Sequence, residues 1–247
     1  QLTAARLALI AAQGISSFAV HRRARVSVVT TGDEIQPAGA KLRPGEIFES
    51  NAVMLTALAK HVGCELRLQA HCRDNFDELC STLRQAVEAD AVVISGGVSV
   101  GERDLVRAAL KEIGATIDLW QVAVKPGKPF LFGKQGRCAI FGLPGNPVSS
   151  FVTFHVFVRL ALLRMMGAND AALVPLRGFA RMGSDVSNSD GIRPHYIRGR
   201  LAEGTFTPVG RQESHALFGL AQANVLLRLD PGQRVAAGKW HEVLLLD

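Results

Sequence analysis

Hydrophobic and polar positions along this chain fall into two textures that meet near residue 167. Before that point, short β-branched runs alternate with segments whose apolar residues recur every three or four positions, the pattern of strands followed by helices. Residues 2–13 predict a helix closed by Gly14, and residues 26–30 predict a buried first strand. After the Pro- and Gly-bearing loop 31–49, Ser50 is placed to cap a helix with a core face of Val53, Leu55, Leu58, Ala59 and Val62, ended by Gly63. A strand at 65–71, a helix at 74–89 and a strand at 91–94 complete a βαβαβ pattern. Residues 95–101 then form a glycine-bearing loop, 102–113 a helix stopped by Gly114, and 116–124, 130–132 and 138–141 three further strands. A Pro-Gly-Asn-Pro turn leads into a long apolar helix ending at Met166. Beyond residue 169, short alternating runs around Leu176, Tyr196, Phe206, 225–229 and 243–246 predict a small, mostly β unit.

Composition narrows the function classes. With 247 residues, 48% of them hydrophobic, the chain can build a sizeable core, which excludes a disordered tail or a stapled mini-protein. The 28 Lys and Arg against 22 Asp and Glu give a net charge of +6, suited to an anionic partner. That excess is spread along the chain, and Tyr196, Trp120 and Trp240 are the only Tyr or Trp available for stacking, so small anions fit better than nucleic acid. Cys64, Cys72, Cys80 and Cys138 form no C-x-x-C pair and read as buried thiols in a reducing cytosol. The most apolar stretch, 151–163, is interrupted by His155 and Arg159 and is too short for a bilayer, so no membrane span is expected. The first residues lack an initiator Met and a cleavage pattern, which suggests the remainder of a longer product.

Five short segments carry candidate chemistry, each with a plainer reading beside it. Ser95-Gly96-Gly97-Val98-Ser99-Val100-Gly101 joins a strand to a helix, where glycine lets backbone N–H groups approach an anion. A tight connection alone would look the same, and the loop is neither a Walker A nor a dinucleotide turn. Asp104, in the first turn of the following helix, suits Mg²⁺, or it compensates the helix dipole with Glu102. Lys125-Pro126-Gly127-Lys128-Pro129 holds two ammonium groups on a stiffened chain, suited to an oxyanion, or forms a solvated basic turn. Thr31-Gly32-Asp33-Glu34 and Asp74 follow strands at the edge where α/β sheets bind ligands, although a polar turn and an N-cap explain them equally. In Leu143-Pro144-Gly145-Asn146-Pro147 the prolines and glycine are structural, whereas Asn146 has a free amide. Arg198 and the Glu213-Ser214-His215 run offer a guanidinium, a hydroxyl and an imidazole, His215 reading as a surface or packing residue. Without a nucleophile elbow, a Ser-His hydrolase is poorly supported.

Taken in this order, the Thr-Gly-Asp-Glu, Ser-Gly-Gly-Val-Ser-Val-Gly-Glu-Arg-Asp, Lys-Pro-Gly-Lys-Pro and Leu-Pro-Gly-Asn-Pro segments resemble the molybdopterin molybdenumtransferase family, MoeA type, related to the gephyrin E domain. The resemblance implies an α/β fold: the end of a linker-type domain at 1–23, a three-layer molybdopterin-binding α/β domain with a mostly parallel sheet at 24–170, and a β-rich C-terminal domain at 171–247. It implies insertion of molybdate into adenylylated molybdopterin with release of AMP, dependent on Mg²⁺ or a similar divalent cation. Carried over, Lys125, Lys128, Pro129, Arg198 and Ser214 would bind molybdate; Gly96, Gly97, Ser99 and Asn146 would line the pterin and nucleotide cleft; Asp104, Glu34 and Asp74 would hold the metal. Asp104, Glu34, Asp74 and Lys125 are then the catalytic set. A cytoplasmic homodimer, receiving substrate from the molybdopterin adenylyltransferase, is implied as well. The alternatives are that adenylyltransferase activity itself and a non-catalytic, gephyrin-like scaffold. Two departures stand out. Trp120-Gln121 lacks the basic residue some relatives carry after the Trp, so one contact of the anion pocket is absent or supplied elsewhere. The family's first domain and most of its second do not precede Leu2.

Overall fold

The computed structural model describes residues 2–97 and 105–246. In chain order the first elements are α1 (Ala4–Ala12), β1 (Arg25–Thr31), β2 (Ile35–Gln36), β3 (Ile47–Phe48), α2 (Asn51–Val62), β4 (Glu65–Cys72), α3 (Phe76–Ala86) and β5 (Ala91–Ser95). Then come α4 (Leu105–Glu112), β6 (Thr116–Trp120), β7 (Leu131–Gln135), β8 (Cys138–Leu143), α5 (Pro147–Thr153), a π-helical turn (Phe154–Val158) and α6 (Arg159–Met165). The remainder is α7 (Asp170–Leu173), β9 (Arg177–Met182), β10 (Val186–Ser187), β11 (His195–Ala202), β12 (Thr205–Pro208), α8 (Leu217–Gln222), β13 (Val225–Leu229), β14 (Arg234–Val235) and β15 (Trp240–Leu245).

Among the described residues, six strands form one sheet in the order β4-β1-β5-β8-β7-β6. The first four run parallel, β7 pairs antiparallel with β8, and β6 pairs antiparallel with β7, so that β6 runs in the direction of the first four. Successive side chains of a strand point to opposite faces, and both faces are covered. Val26, Val28, Ala91, Val93 and Phe141 pack with Leu55 and Ala59 of α2 and with Phe154, Val158 and Leu162 of the long helix. Val29, Val92, Ile94 and Ile140 pack with Leu79 and Leu83 of α3 and with Val106 and Leu110 of α4. Two-sided burial is why β5 and β8 read as apolar runs in the sequence and why β1 is buried at its Ser and Thr positions as well. Each fully buried Leu or Val contributes on the order of 2 kcal/mol. The second unit is a closed barrel, β11-β12-β9-β15-β13, filled by Ala180, Met182, Ile197, Phe206, Leu227 and Val243.

The structure corrects several local expectations. Val53 is 63% exposed, so the core face of α2 is narrower than its apolar pattern. Ser50 occupies the cap position but makes no side-chain cap bond; Glu49 Oε1 accepts from Ala52 N instead. Asn75, not Asp74, caps α3, its side chain accepting from Glu78 N. The strand expected to reach residue 124 ends at Trp120, because Gln121 takes a left-handed φ of 71°. The helix from Pro147 to Met165 is 19 residues, long and apolar enough by length and composition to cross a bilayer, contrary to the estimate from its apolar run. Its face of Val148, Val152, Phe154, Val158 and Leu162 is fully buried within the protein. All four cysteines are free and buried, and burial pushes the Cys64 and Cys138 thiols up to about 11 and about 12.

Candidate active site

Parallel register brings the carboxyl ends of four strands to one edge. Thr31 of β1 lies beside Cys72 of β4, Thr30 beside Ser95 of β5, and Ser95 beside Leu143 of β8. The glycine pair that follows β5 is packed tightly there. Gly96 has φ +95°, and an added Cβ would stand 2.5 Å from the Thr31 carbonyl oxygen; at Gly97, φ +63°, it would stand 2.6 Å from a Val106 methyl. Only glycine fits both the conformation and the space. Gly145 approaches the Gly96 Cα on the other side. Asn51 Nδ2 ties the turns together by donating to Ser95 Oγ (2.9 Å) and to Gly145 O (2.6 Å). Ser95 Oγ and Ser150 Oγ both donate to the Pro144 carbonyl.

From this cleft a bonded wall continues into the barrel. Asn146 Nδ2 donates to Ser214 Oγ (2.9 Å), and Val148 N donates to Ser214 O (3.1 Å). The segment carrying Ser214 is held from beneath by Arg198, whose side chain is 1% exposed. Its guanidinium donates to the carbonyls of Arg211, Glu213 and Ala216. Gln212 completes the clamp: its Oε1 accepts from Arg198 N, and its Nε2 donates to the carbonyls of Arg198 and Val209. Arg198 was expected to grip an anion directly; its fork is instead spent on backbone oxygens because the loop folds over it.

Lys125 is stitched to the barrel by its backbone alone, Lys125 N donating to Pro194 O and Tyr196 N to Lys125 O. Gly127 is buried against Thr153 of α5. The side chain of His195, next to this bridge, is buried and its pKa is lowered to about 4 by burial, with Lys125 and Arg198 adding positive charge. Arg193 acts on the same imidazole in the same direction, and Asp190 opposes them. Lys128 points elsewhere in the same region, into an open pocket of about 620 Å³ with Gln121, Val122, Asp190, Ile192 and Arg193. Arg193 stands where Gln121 brings no charge, although it is paired with Asp190 at 2.6 Å. Pro129, half-buried, follows Lys128 in the chain. A separate cavity of about 350 Å³ beside the long helix also holds charged residues, but Arg177–Glu242 and Arg228–Asp230 are paired there.

Acidic groups gather at the other end of the edge. Glu34 folds back over Gly32, and Asp33 Oδ1 accepts from Asp74 N (3.1 Å). Burial raises the Asp74 carboxyl, and the charges of Asp33 and Glu34 raise it further. Among the described residues no group of three His, Cys, Asp or Glu is arranged to hold a metal ion. Ser99 and Asp104 lie outside the described residues. Glu34 and Asp74 are the expected metal-holding carboxylates that lie within the described residues, and Mg²⁺ characteristically takes few protein carboxylates and fills its sphere with phosphate oxygens and water.

Sequence reading missed several residues of this edge. Glu49 Oε2 accepts from Thr30 Oγ1, which also meets His71 Nδ1 at 3.1 Å. Asn51 and Gln212 act through long-range bonds that no local pattern announces. A polar residue at the first position of an apolar helix following a strand-edge loop was the one available signal for Asn51.

Comparisons with known proteins agree with this layout. Residues 27–164 match the model of the probable molybdopterin binding domain, and residues 180–246 match that of the MoeA C-terminal region, domain IV. The molybdopterin molybdenumtransferase of Haemophilus influenzae is 34% identical over 97% of this chain and 60% of its own length; that of Nostoc sp. is 38% identical over 100% of this chain and 58% of its own. The crystal structure of the molybdopterin biosynthesis MoeA protein from Pyrococcus horikosii superposes with a TM-score of 0.84 at 29% identity, covering 99% of this chain and 60% of that one. The chain thus spans about 60% of the length of these relatives. With more than half of its residues under the first model, the chain belongs to the molybdopterin-binding domain family, in the arrangement that continues into a MoeA C-terminal region.

Proposed function

We propose that this chain forms the catalytic part of a molybdopterin molybdenumtransferase, inserting molybdate into adenylylated molybdopterin as the phosphoanhydride bond breaks and AMP leaves. The observation that carries the reading is the Ser214–Asn146 bond, which joins the segment clamped by Arg198 to the turn beside the glycine cleft, with the Lys125 backbone fixed to the same barrel. A dianionic oxyanion next to a phosphoanhydride needs preorganised positive charge and donors, the strongest means of stabilising such a transition state.

In this reading Lys125 neutralises molybdate, the Ser214 hydroxyl donates to it, and Lys128 with Pro129 shapes the approach. Arg198 adds charge while holding the Ser214 segment in place. Gly96, Gly97 and Asn146, with Ser99, line the cleft for the pterin and nucleotide. Glu34 and Asp74, with Asp104, would hold Mg²⁺, which supplies charge neutralisation at the phosphate oxygens. We divide the chain into a linker-type end at 1–23, the α/β domain at 24–170 and the β domain at 171–247. We also place the protein in the cytoplasm as a homodimer receiving substrate from the adenylyltransferase. The homodimer is supported by α1, which buries none of its residues and leaves Leu7 and Leu9 exposed.

Molybdate-dependent AMP release from adenylylated molybdopterin tests the reading. Release that requires both molybdate and Mg²⁺ is expected. Tight binding without AMP release would identify a scaffold, and ATP consumption in its place would identify an adenylyltransferase.

A further inference from the structure

The outer face of the barrel and the long helix enclose a cavity whose lining shares no residue with the sheet edge. Ile197, Val225, Leu227 and Val243 fill the barrel, so strand alternation turns their neighbours Tyr196, Leu226, Arg228, Glu242 and Leu244 outward. Tyr196 stands opposite Arg228 and Leu226 opposite Leu244, which makes one continuous face across β11, β13 and β15. Against it lies the Phe154–Val158 segment, where the helix is π-helical, a rare geometry that occurs frequently at functional sites. His155, Val156 and Arg159 line the space from that side. The cavity measures about 350 Å³, within the range of about 300–1,000 Å³ in which small molecules bind.

Its polar groups specify the occupant. Arg159, Arg177 and Arg228 stand against two carboxylates, and both are engaged, Glu242 with Arg177 (2.8 Å) and Asp230 with Arg228 (2.7 Å). With the imidazoles neutral, the lining carries one positive charge in excess. His241 adds none. Gln233 Oε1 accepts from Asp230 N (2.7 Å), so Gln233 Nε2 is the donor to His241 Nε2 (3.0 Å), and His241 Nδ1 donates to the Glu242 carbonyl (3.0 Å). Tyr196 is 8% exposed, and its hydroxyl is hydrogen-bonded to Arg228. A guanidinium only donates, so the phenol oxygen is the acceptor and its own proton is left with no acceptor among the described residues. We propose that this cavity is a further binding site, for a small monoanion with an apolar body: a carboxylate on an aromatic ring or branched chain. Its oxygen accepts from the Tyr196 hydroxyl, and its body lies against Val156, Leu226, Leu244 and Leu246. A dianionic oxyanion has no apolar body for this space, and a neutral molecule leaves the excess charge unanswered.

Naphthoate is the probe and naphthamide its uncharged match, each titrated by calorimetry into the whole chain. Naphthoate should saturate a single site, and naphthamide should bind about tenfold more weakly for want of a charge-assisted hydrogen bond. Tyr196→Phe, which keeps the ring, should weaken naphthoate about tenfold with an unchanged thermal midpoint. Val156→Phe fills the cavity from the helix side and should abolish binding; it carries the test alone if Tyr196→Phe does not fold. Saturating molybdate or AMP should leave naphthoate affinity within about twofold. Absence of saturable binding by the unmodified chain overturns the proposal. So does equal affinity for the two probes, or naphthoate affinity that a folded variant retains in full. Competition by molybdate or AMP overturns it as well, by moving the probe to the sheet edge.

Discussion

The two ends of the strand order carry opposite charges at the same edge of the sheet. At the β4 and β1 end, Asp33, Glu34 and Asp74 crowd together, and burial with like charge raises the Asp74 carboxyl. Toward β8 and the barrel, Lys125 and Arg198 converge on His195, and burial with like charge lowers its imidazole to about 4. The shifts run in opposite directions for the same physical reason. Each end gathers charge of one sign, and in the proposed function the acidic end takes a divalent cation and the basic end an oxyanion. The paired arginines of the cavity beside the long helix show the contrast, for there the protein supplies its own counter-charges.

The strongest way to break this comparison is Lys125→Ala. The backbone bridge to Pro194 and Tyr196 uses no side-chain atom, so stability should stay within about 0.5 kcal/mol. Molybdate-dependent AMP release should fall by about 100-fold or more in single-turnover assays. A rate near that of the unmodified chain would remove the basic end from the chemistry. Arg198→Ala separates position from charge: it strands the carbonyls of Arg211, Glu213 and Ala216 and should cost about 3 kcal/mol in denaturant unfolding. Hydrogen exchange in residues 211–216 should rise, and its absence would deny the clamp.

At the acidic end, Asp74→Asn should leave stability unchanged or slightly higher, since it removes repulsion. The Mg²⁺ concentration for half-maximal activity should rise about tenfold, roughly one lost ligand contact. The smallest effect concerns His195. Its folded pKa lies below the ordinary value of 6.5, so the unfolded chain takes up the proton first and stability falls as pH drops from about 6.5 toward 4. Between pH 7 and pH 6 the loss should be less than about 1 kcal/mol, and His195→Gln should flatten it. A flat profile in the unmodified protein would mean the imidazole is not held neutral by its burial and its cationic neighbours.

Much of the frame was legible before any coordinates. The apolar runs of β1, β5 and β8 and the glycines at 96 and 97 each had one good local solution, and the observed strands and turns follow them. Helix α2 was partly misread, because Val53 fits an apolar stripe yet is 63% exposed. The end of β6 was overextended, since nothing in Gln121 announces a left-handed φ. Within the site, the Lys125 and Ser214 motifs were visible as chemistry, while the role of Arg198 was not: a guanidinium reads as an anion ligand until its donors are seen bonded to carbonyls.

What the chain determined by itself was periodicity and backbone permission: which segments bury two faces, which bury one, and where only glycine can turn. These are properties of neighbours in sequence, fixed by sterics and by the area each side chain removes from water. The tertiary structure alone decided which turns meet, that Asn51 spans 94 residues to reach Gly145, and that Asn146 spans 68 to reach Ser214. It also decided the charge each group feels, because field strength depends on distance and burial, and neither exists until the strands are set side by side.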